Sequence, residues 1–232
     1  AVLSDTSSDF SSLIDEVRVY NRALSASEVA GLYKVGAAKF NPPSNLGLVG
    51  YWSFNDATST ARSVHVTDFS GQGNHGVMTN MANPATAASG VADGRLGKAL
   101  SFDGSNDYVD VGTQSNLNIT SVMTASAWIK LNSDYTTAQT IIGAYDTVPV
   151  PDGSNYSFEF GRTDNKFSFL QDAATAISAN GPSSISDNNW HHAAVVRSGS
   201  SGNWSISFYI DGVLDSTPTT TVNPGGGTYP VS

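Results

Sequence analysis

The sequence has no cysteine, few charged side chains and no long apolar run. Without Cys, thiol catalysis, Cys-ligated zinc and iron–sulfur chemistry are excluded, while the redox compartment stays open. Only 13% of the 232 residues are charged, so Ser, Thr, Asn and Gly must supply the polar surface, as they do in many extracellular β-proteins. The 11 Lys and Arg stand against 20 Asp and Glu, a net charge of −9 with no basic cluster. That balance excludes nucleic acid as a partner. No stretch approaches the ~18 to 20 apolar residues that span a bilayer, so no membrane insertion is expected. The opening Ala1-Val2-Leu3-Ser4-Asp5 lacks the basic and then apolar run of a signal peptide, which points to a mature form or a fragment of something longer.

What is present reads as β-structure with one helix. In Leu24-Ser25-Ala26-Ser27-Glu28-Val29, Ser25 is placed to cap the amide of Glu28, and Glu28 to reach back to Ser25. Leu24 and Val29 form a hydrophobic staple around that cap, and Val29, Leu32 and Tyr33 follow helical spacing. The helix is expected over residues 26–33, with Gly36 and Pro42 beyond it. Apolar alternation marks strands at 48–54, 99–102, 108–111, 123–131, 140–144, 156–161, 166–171, 190–197 and 204–210. Asp103-Gly104, Asp152-Gly153 and Asp211-Gly212 supply turns between them. The length suits one large all-β domain or two small ones. Many strands with short Gly/Asn/Asp punctuation argue for a two-sheet antiparallel β-sandwich, a jelly roll.

Four segments together resemble the laminin G-like jelly rolls of the concanavalin A-like lectin superfamily, in the form found in bacterial surface proteins. They are Leu48-Val49-Gly50-Tyr51-Trp52-Ser53-Phe54, the stretch from Asp68 to Gly76, the stretch from Leu100 to Val109, and Leu13-Ile14-Asp15-Glu16-Val17-Arg18-Val19-Tyr20 with the capped helix after it. Ala127-Trp128-Ile129, Trp190 to Val195 and Phe208 to Gly212 support them. The resemblance implies a non-catalytic, extracellular or cell-surface module whose partners are glycans or cell-surface proteins. In the family, the Ile-Asp-Glu-Val-Arg strand and its helix end the domain, whereas here they begin the chain. Residues 1–34 therefore read as the terminal strand and helix of a jelly roll, 35–47 as a linker, and 48–232 as the main body. Three arrangements stay open. The strand completes its own sheet, or it completes a neighbour's, giving a swapped dimer or filament, or the chain is a window on tandem copies. An open sheet edge must be filled by something, and a linker of about ten residues reaches roughly 33 Å, enough for either route. A structural subunit that polymerises by strand donation is thus the alternative to a binding module.

Chemistry is sparse. Retaining glycoside hydrolysis needs paired carboxyls, and no Glu-x-Asp-x-x-Glu occurs; Glu159 reads as a lone exposed strand carboxylate, and Asp15 and Glu16 as neighbours on opposite faces. No nucleophile elbow accompanies His191 or His192, of which one is expected packed and the other exposed. Calcium is the cofactor to consider, since it takes six to eight oxygens from carboxylates, amides and backbone carbonyls. Strand alternation places Asp15 on the side of Val17 and Val19, the expected core face, where a carboxylate needs a cation or several donors. The resemblance brings the Asp68–Gly76 turn close to it. The calcium set is then Asp15, Asp68 and Asn74 with carbonyls of Gly71 and Gly73; equally, Asp68 and Asn74 shape a turn by Asx bonding alone. A more distant similarity to pentraxins implies a second loop cluster at Asp152 and Asn155 with Asp5. Tyr145 and Tyr156 lie at loop edges where a sugar ring could stack, as does Tyr135. Trp52, Trp128 and Trp190 sit in alternating apolar patterns and are expected in the core.

Overall fold

In a computed structural model, the structure describes residues 10–35, 45–57, 65–81, 90–135, 137–144, 156–161, 166–171, 175–178, 185–200, 203–215 and 221–222. In chain order the elements are β1 (Ser11–Tyr20), α1 (Ala26–Val35), β2 (Leu48–Trp52), β3 (His65–Val66), β4 (Gly76–Thr79), β5 (Gly90–Asp93), β6 (Lys98–Asp103), β7 (Tyr108–Asp110) and β8 (Met123–Lys130). There follow β9 (Gln139–Ala144), β10 (Tyr156–Phe160), β11 (Phe167–Gln171), β12 (Thr175–Ser178), β13 (Trp190–Ser200), β14 (Asn203–Ile210), β15 (Val213–Leu214) and β16 (Thr221–Val222). Every strand pair is antiparallel.

A nine-stranded sheet runs β15-β14-β13-β8-β1-β6-β5, with β2 also paired to β1 and β16 to β14. Its inner face packs against a four-stranded sheet (β12-β11-β10-β9) and a three-stranded one (β3-β4-β7). Ile14, Leu100, Ala127 and Val195 of the large sheet share one core with Val66, Val109, Ile141, Phe158 and Phe169 of the smaller ones. This is the expected sandwich. The strand near the chain's start lies in the middle of its own chain's large sheet, between β8 on one side and β6 and β2 on the other.

The helix covers the outer face of the large sheet at one end. Ser25 N–H donates to Glu28 Oε2 (2.8 Å) and Glu28 N–H to Ser25 Oγ (3.3 Å), so the capping box forms as read, and the helix runs two residues past Tyr33. Arg22 clamps the Glu28 carboxylate with two hydrogen bonds of 2.6 and 3.1 Å, which hold the Glu28 carboxyl down at about 2. The apolar stripe Leu24, Val29 and Leu32 packs on Tyr20, Leu48, Ala194, Val196 and Tyr209 in a second, separate core. The Asp211-Gly212 turn runs against this helix. Asp211 and Gly212 have φ of 51° and 75°, and a Cβ on Gly212 would stand 2.9 Å from Ala30 Cα. Only glycine fits both the positive φ and the close approach.

One irregularity corrects the sequence reading. The β1–β8 register passes from Asp15↔Trp128 to Arg18↔Ser126, three residues on β1 against two on β8. Glu16 has φ 54°, and Ile14 and Val17 both lie in the main core although they are three residues apart. A bulge therefore shifts the alternation by one residue. Asp15 does not share the core face of Val17 and Val19, and Asp15 and Glu16 do not point oppositely: both belong to the outer face.

Candidate functional site

Four register-matched residues cross the large sheet at the end of the outer face that α1 leaves bare. Ser101 on β6 faces Leu13 on β1, Leu13 faces Lys130 on β8, and Lys130 faces Trp190 on β13. Directly opposed residues stand on the same side of a sheet. The row thus sets a hydroxyl, an aliphatic floor, an ammonium and an indole side by side. Leu13, Lys130 and Trp190 are all half-buried. Trp190, expected in the core, opens to this surface instead, because its alternation partners His192, Ala194 and Val196 lie on the outer face. Ser101, Leu13 and Lys130 of this row line a cleft of about 360 Å³ whose walls include Ser11, Asp103, Asn132 and Asn188; Trp190, next to Lys130, is not among its lining residues.

The cleft's walls are fixed by hydrogen bonds. Ser11 N–H donates to Gln139 Oε1 (2.8 Å), and the Tyr135 hydroxyl donates to the Ser11 carbonyl and lies 2.9 Å from Asn132 Oδ1. Asn132 N–H donates to Ser12 Oγ (3.3 Å), and Asn188 N–H to the Leu131 carbonyl (2.9 Å) with φ 61° at Asn188. Asp103 Oδ1 accepts from Ser105 N–H (2.9 Å). The 187–189 loop is held from outside by His191, whose Nδ1 lies 2.8 Å from Asp211 Oδ2 and Nε2 3.1 Å from Asp187 Oδ1. The Asp211 bond, aided by Asp187, pushes the His191 pKa up despite partial burial. Tyr135, read as a residue that could face ligand, acts here as a brace for the backbone of the cleft wall.

The residues of the calcium set are not gathered into a cradle. Asp68 Oδ1 accepts from Tyr51 N–H (2.9 Å) and Ser70 N–H (2.8 Å); Oδ2 accepts from Ser70 Oγ (2.7 Å) and Asn74 N–H (2.9 Å). Burial raises its pKa, but those four bonds outweigh burial and hold the carboxyl below its usual range. A carboxylate with four donors has its lone pairs filled. Asn74 Nδ2 donates to the Val49 carbonyl (2.6 Å), and its own carbonyl accepts from Trp52 Nε1 (2.8 Å). Gly71 and Gly73, at φ 85° and 77°, let the chain turn around Asp68. Asp15 is elsewhere: its Oδ2 accepts from Leu96 N–H (2.9 Å) in the 94–97 turn, and it is fully buried. Desolvation pushes its pKa up to about 7. Among the described residues no group of three or more His, Asp or Glu is arranged to hold a metal ion. The donor set fits an Asx turn rather than calcium.

The remaining candidates divide. Asp5, Tyr145, Asp152 and Asn155 lie outside the described residues. Tyr156 is a core residue, not a ligand-facing one: strand alternation carries it inward with Phe158 and Phe160, it stacks on Phe169, and its hydroxyl donates to the Leu117 carbonyl (3.1 Å). Glu159, read as an exposed carboxylate, is fully buried and accepts from Ser157 Oγ (2.7 Å), because β10 is covered on both faces. His192 is the packed member of its pair, with burial holding its pKa down at about 3. Trp128 is buried as expected, but on the outer face, stacked under Tyr33 with Arg95 4.9 Å from its ring.

The described residues thus form a two-layer antiparallel β-sandwich, a jelly roll, with one α-helix on the outer face of the large sheet and a polar cleft at the other end of that face. Residues 103–232 match the family model described as the concanavalin A-like lectin/glucanases superfamily, and the chain belongs to that superfamily. Among solved structures, it is similar to domain 4 of AbnA, an extracellular GH43 arabinanase from Geobacillus stearothermophilus, determined in complex with arabinotriose. That likeness has a TM-score of 0.51 at 19% identity and covers 77% of this chain and 78% of the other. No curated protein sequence matches the chain. No helix among the described residues is long and apolar enough to cross a membrane.

Proposed function

We propose that the chain is a non-catalytic carbohydrate-binding module acting outside the cell, and that its glycan lies in the cleft over Leu13 and Lys130 and extends onto the neighbouring Trp190. The observation that carries this reading is the cleft and its neighbour: Leu13 gives the cleft an aliphatic floor, and the half-buried indole of Trp190, register partner of the cleft residue Lys130, adds a face for the C–H side of a sugar ring. Hydroxyl, amide, ammonium and carboxylate groups surround that face to meet ring hydroxyls. The fold likeness to a domain crystallised with arabinotriose supports the choice of ligand class. The central place of β1 in its own sheet supports a self-contained module over a strand-donated filament.

The test is calorimetric titration with arabinotriose and a panel of neutral and acidic oligosaccharides. Binding to at least one is expected, and it should be lost in Trp190→Ala while the unfolding transition persists. A panel with no binder would overturn the reading. Calcium is proposed to be dispensable. A chelator should leave both affinity and melting midpoint unchanged. Asp68→Ala should cost about 2–4 kcal/mol by freeing the turn's buried donors. A midpoint that drops on chelation would restore the metal.

A further inference from the structure

We infer that the cleft selects glycans bearing a sugar carboxylate, with Lys130 as the residue that recognises it; this rests on the carbohydrate reading of the same cleft. The other cations on this part of the fold have partners. Arg18 pairs with Glu16 at 2.6 Å, Arg22 with Glu28 at 2.6 Å and Lys98 with Asp93 at 2.9 Å. Arg197 donates to the Ile119 and Ser121 carbonyls, and Arg95 lies over the Trp128 ring. None of the ion pairs among the described residues involves Lys130.

Its position makes that vacancy of partners consequential. Lys130 is half-buried in the middle of the row, between its register partners Leu13 and Trp190, and it lines the cleft. In a chain with 20 acidic and 11 basic residues, a half-buried lysine outside every ion pair of the described residues and lining a polar cleft is not explained by solubility. A neutral sugar laid over the row would strip water from the ammonium and return only hydroxyl contacts. A carboxylate would return a charge-assisted hydrogen bond of about twice the strength. Asp103, on the cleft's rim, and the net charge of −9 both repel dense polyanions. The ligand class is therefore a uronic acid, with a single carboxylate per ring, and not a heavily sulfated polymer.

The experiment titrates the full chain with galacturonic, glucuronic, mannuronic and guluronic acid oligosaccharides and with their methyl esters, which keep the skeleton and remove the charge. At least one acid should bind about tenfold or more tightly than its ester. That preference should vanish in Lys130→Gln and return in Lys130→Arg, with unchanged unfolding midpoints. Equal binding of acid and ester, or a preference that survives Lys130→Gln, would overturn this inference and leave the carbohydrate reading standing. Absence of binding by every glycan, neutral or acidic, would remove both.

Discussion

The two ends of the large sheet's outer face are made by the same strands and finished in opposite ways. At one end Tyr20, Ala194 and Val196 meet the stripe of α1, and every residue of that contact is buried. At the other end the same strands present Leu13 and Lys130 to a cleft, with half-buried Trp190 beside Lys130. Between them lies a closed middle, where Asp15, Trp128 and His192 are register partners beneath the 94–97 turn and Tyr33. Alternation decides which face a side chain takes. What stands above that face decides whether it becomes core, sealed polar interior or open cleft. A helix of ten residues is about 15 Å long, too short to roof the whole face.

Substitutions should separate the ends sharply. The largest effect belongs to the covered end: Leu32→Ala, at 1% exposure, should cost about 2–5 kcal/mol by urea unfolding and leave glycan affinity in the intact protein unchanged. At the open end, Lys130→Gln should stay within about 0.5 kcal/mol of the parent. Comparable losses at both sites would mean that the open end is core after all.

The closed middle should show itself through pH. Burial raises the Asp15 pKa from 3.8 to about 7 in the folded state. The stability it contributes is fully present below pH 3.8 and lost as pH rises through about 7. Asp15→Asn should remove that slope and unfold at higher urea than the parent at pH 8. An unchanged slope would place the Asp15 carboxylate in a hydrated setting.

The smallest effect concerns the open end's support. His191 has its pKa raised by Asp211 and Asp187, so its contribution is complete below pH 6.5 and lost as pH rises through the raised value. His191→Gln should therefore lower stability more at pH 5 than at pH 8. Hydrogen exchange across 187–189 should quicken in the parent over the same range. Equal losses at both pH values would assign His191 a packing role alone.

Much of the covered end is legible in the sequence, because its signals are local. The Ser25–Glu28 box, the Leu24–Val29 staple and the Asp211-Gly212 turn each lie within a few residues, and each forms. The open end is not legible in the same way. Its row joins Leu13, Ser101, Lys130 and Trp190, residues brought together by register across four strands. One clue is visible afterwards: Lys130 closes a strand whose other outer positions, Thr124, Ser126 and Trp128, are buried. Asp15 was placed on the wrong face because a bulge centred on Glu16, a non-glycine residue at positive φ, leaves no mark in the alternation. Glu159 reads as exposed because a strand covered on both sides looks half-exposed when Ser and Glu occupy its second face, and Tyr156 reads as a loop edge because it opens that strand.

The most direct test of the binding cleft is amide chemical-shift mapping while the chain is titrated with the tightest-binding oligosaccharide of the panel. The account predicts shifts concentrated at Ser11–Leu13, Ser101–Asp103, Lys130–Asn132 and Asn188–Trp190, with the α1 contact silent. Shifts gathered instead around the exposed Phe69 turn or at Val213 and Leu214 would contradict it.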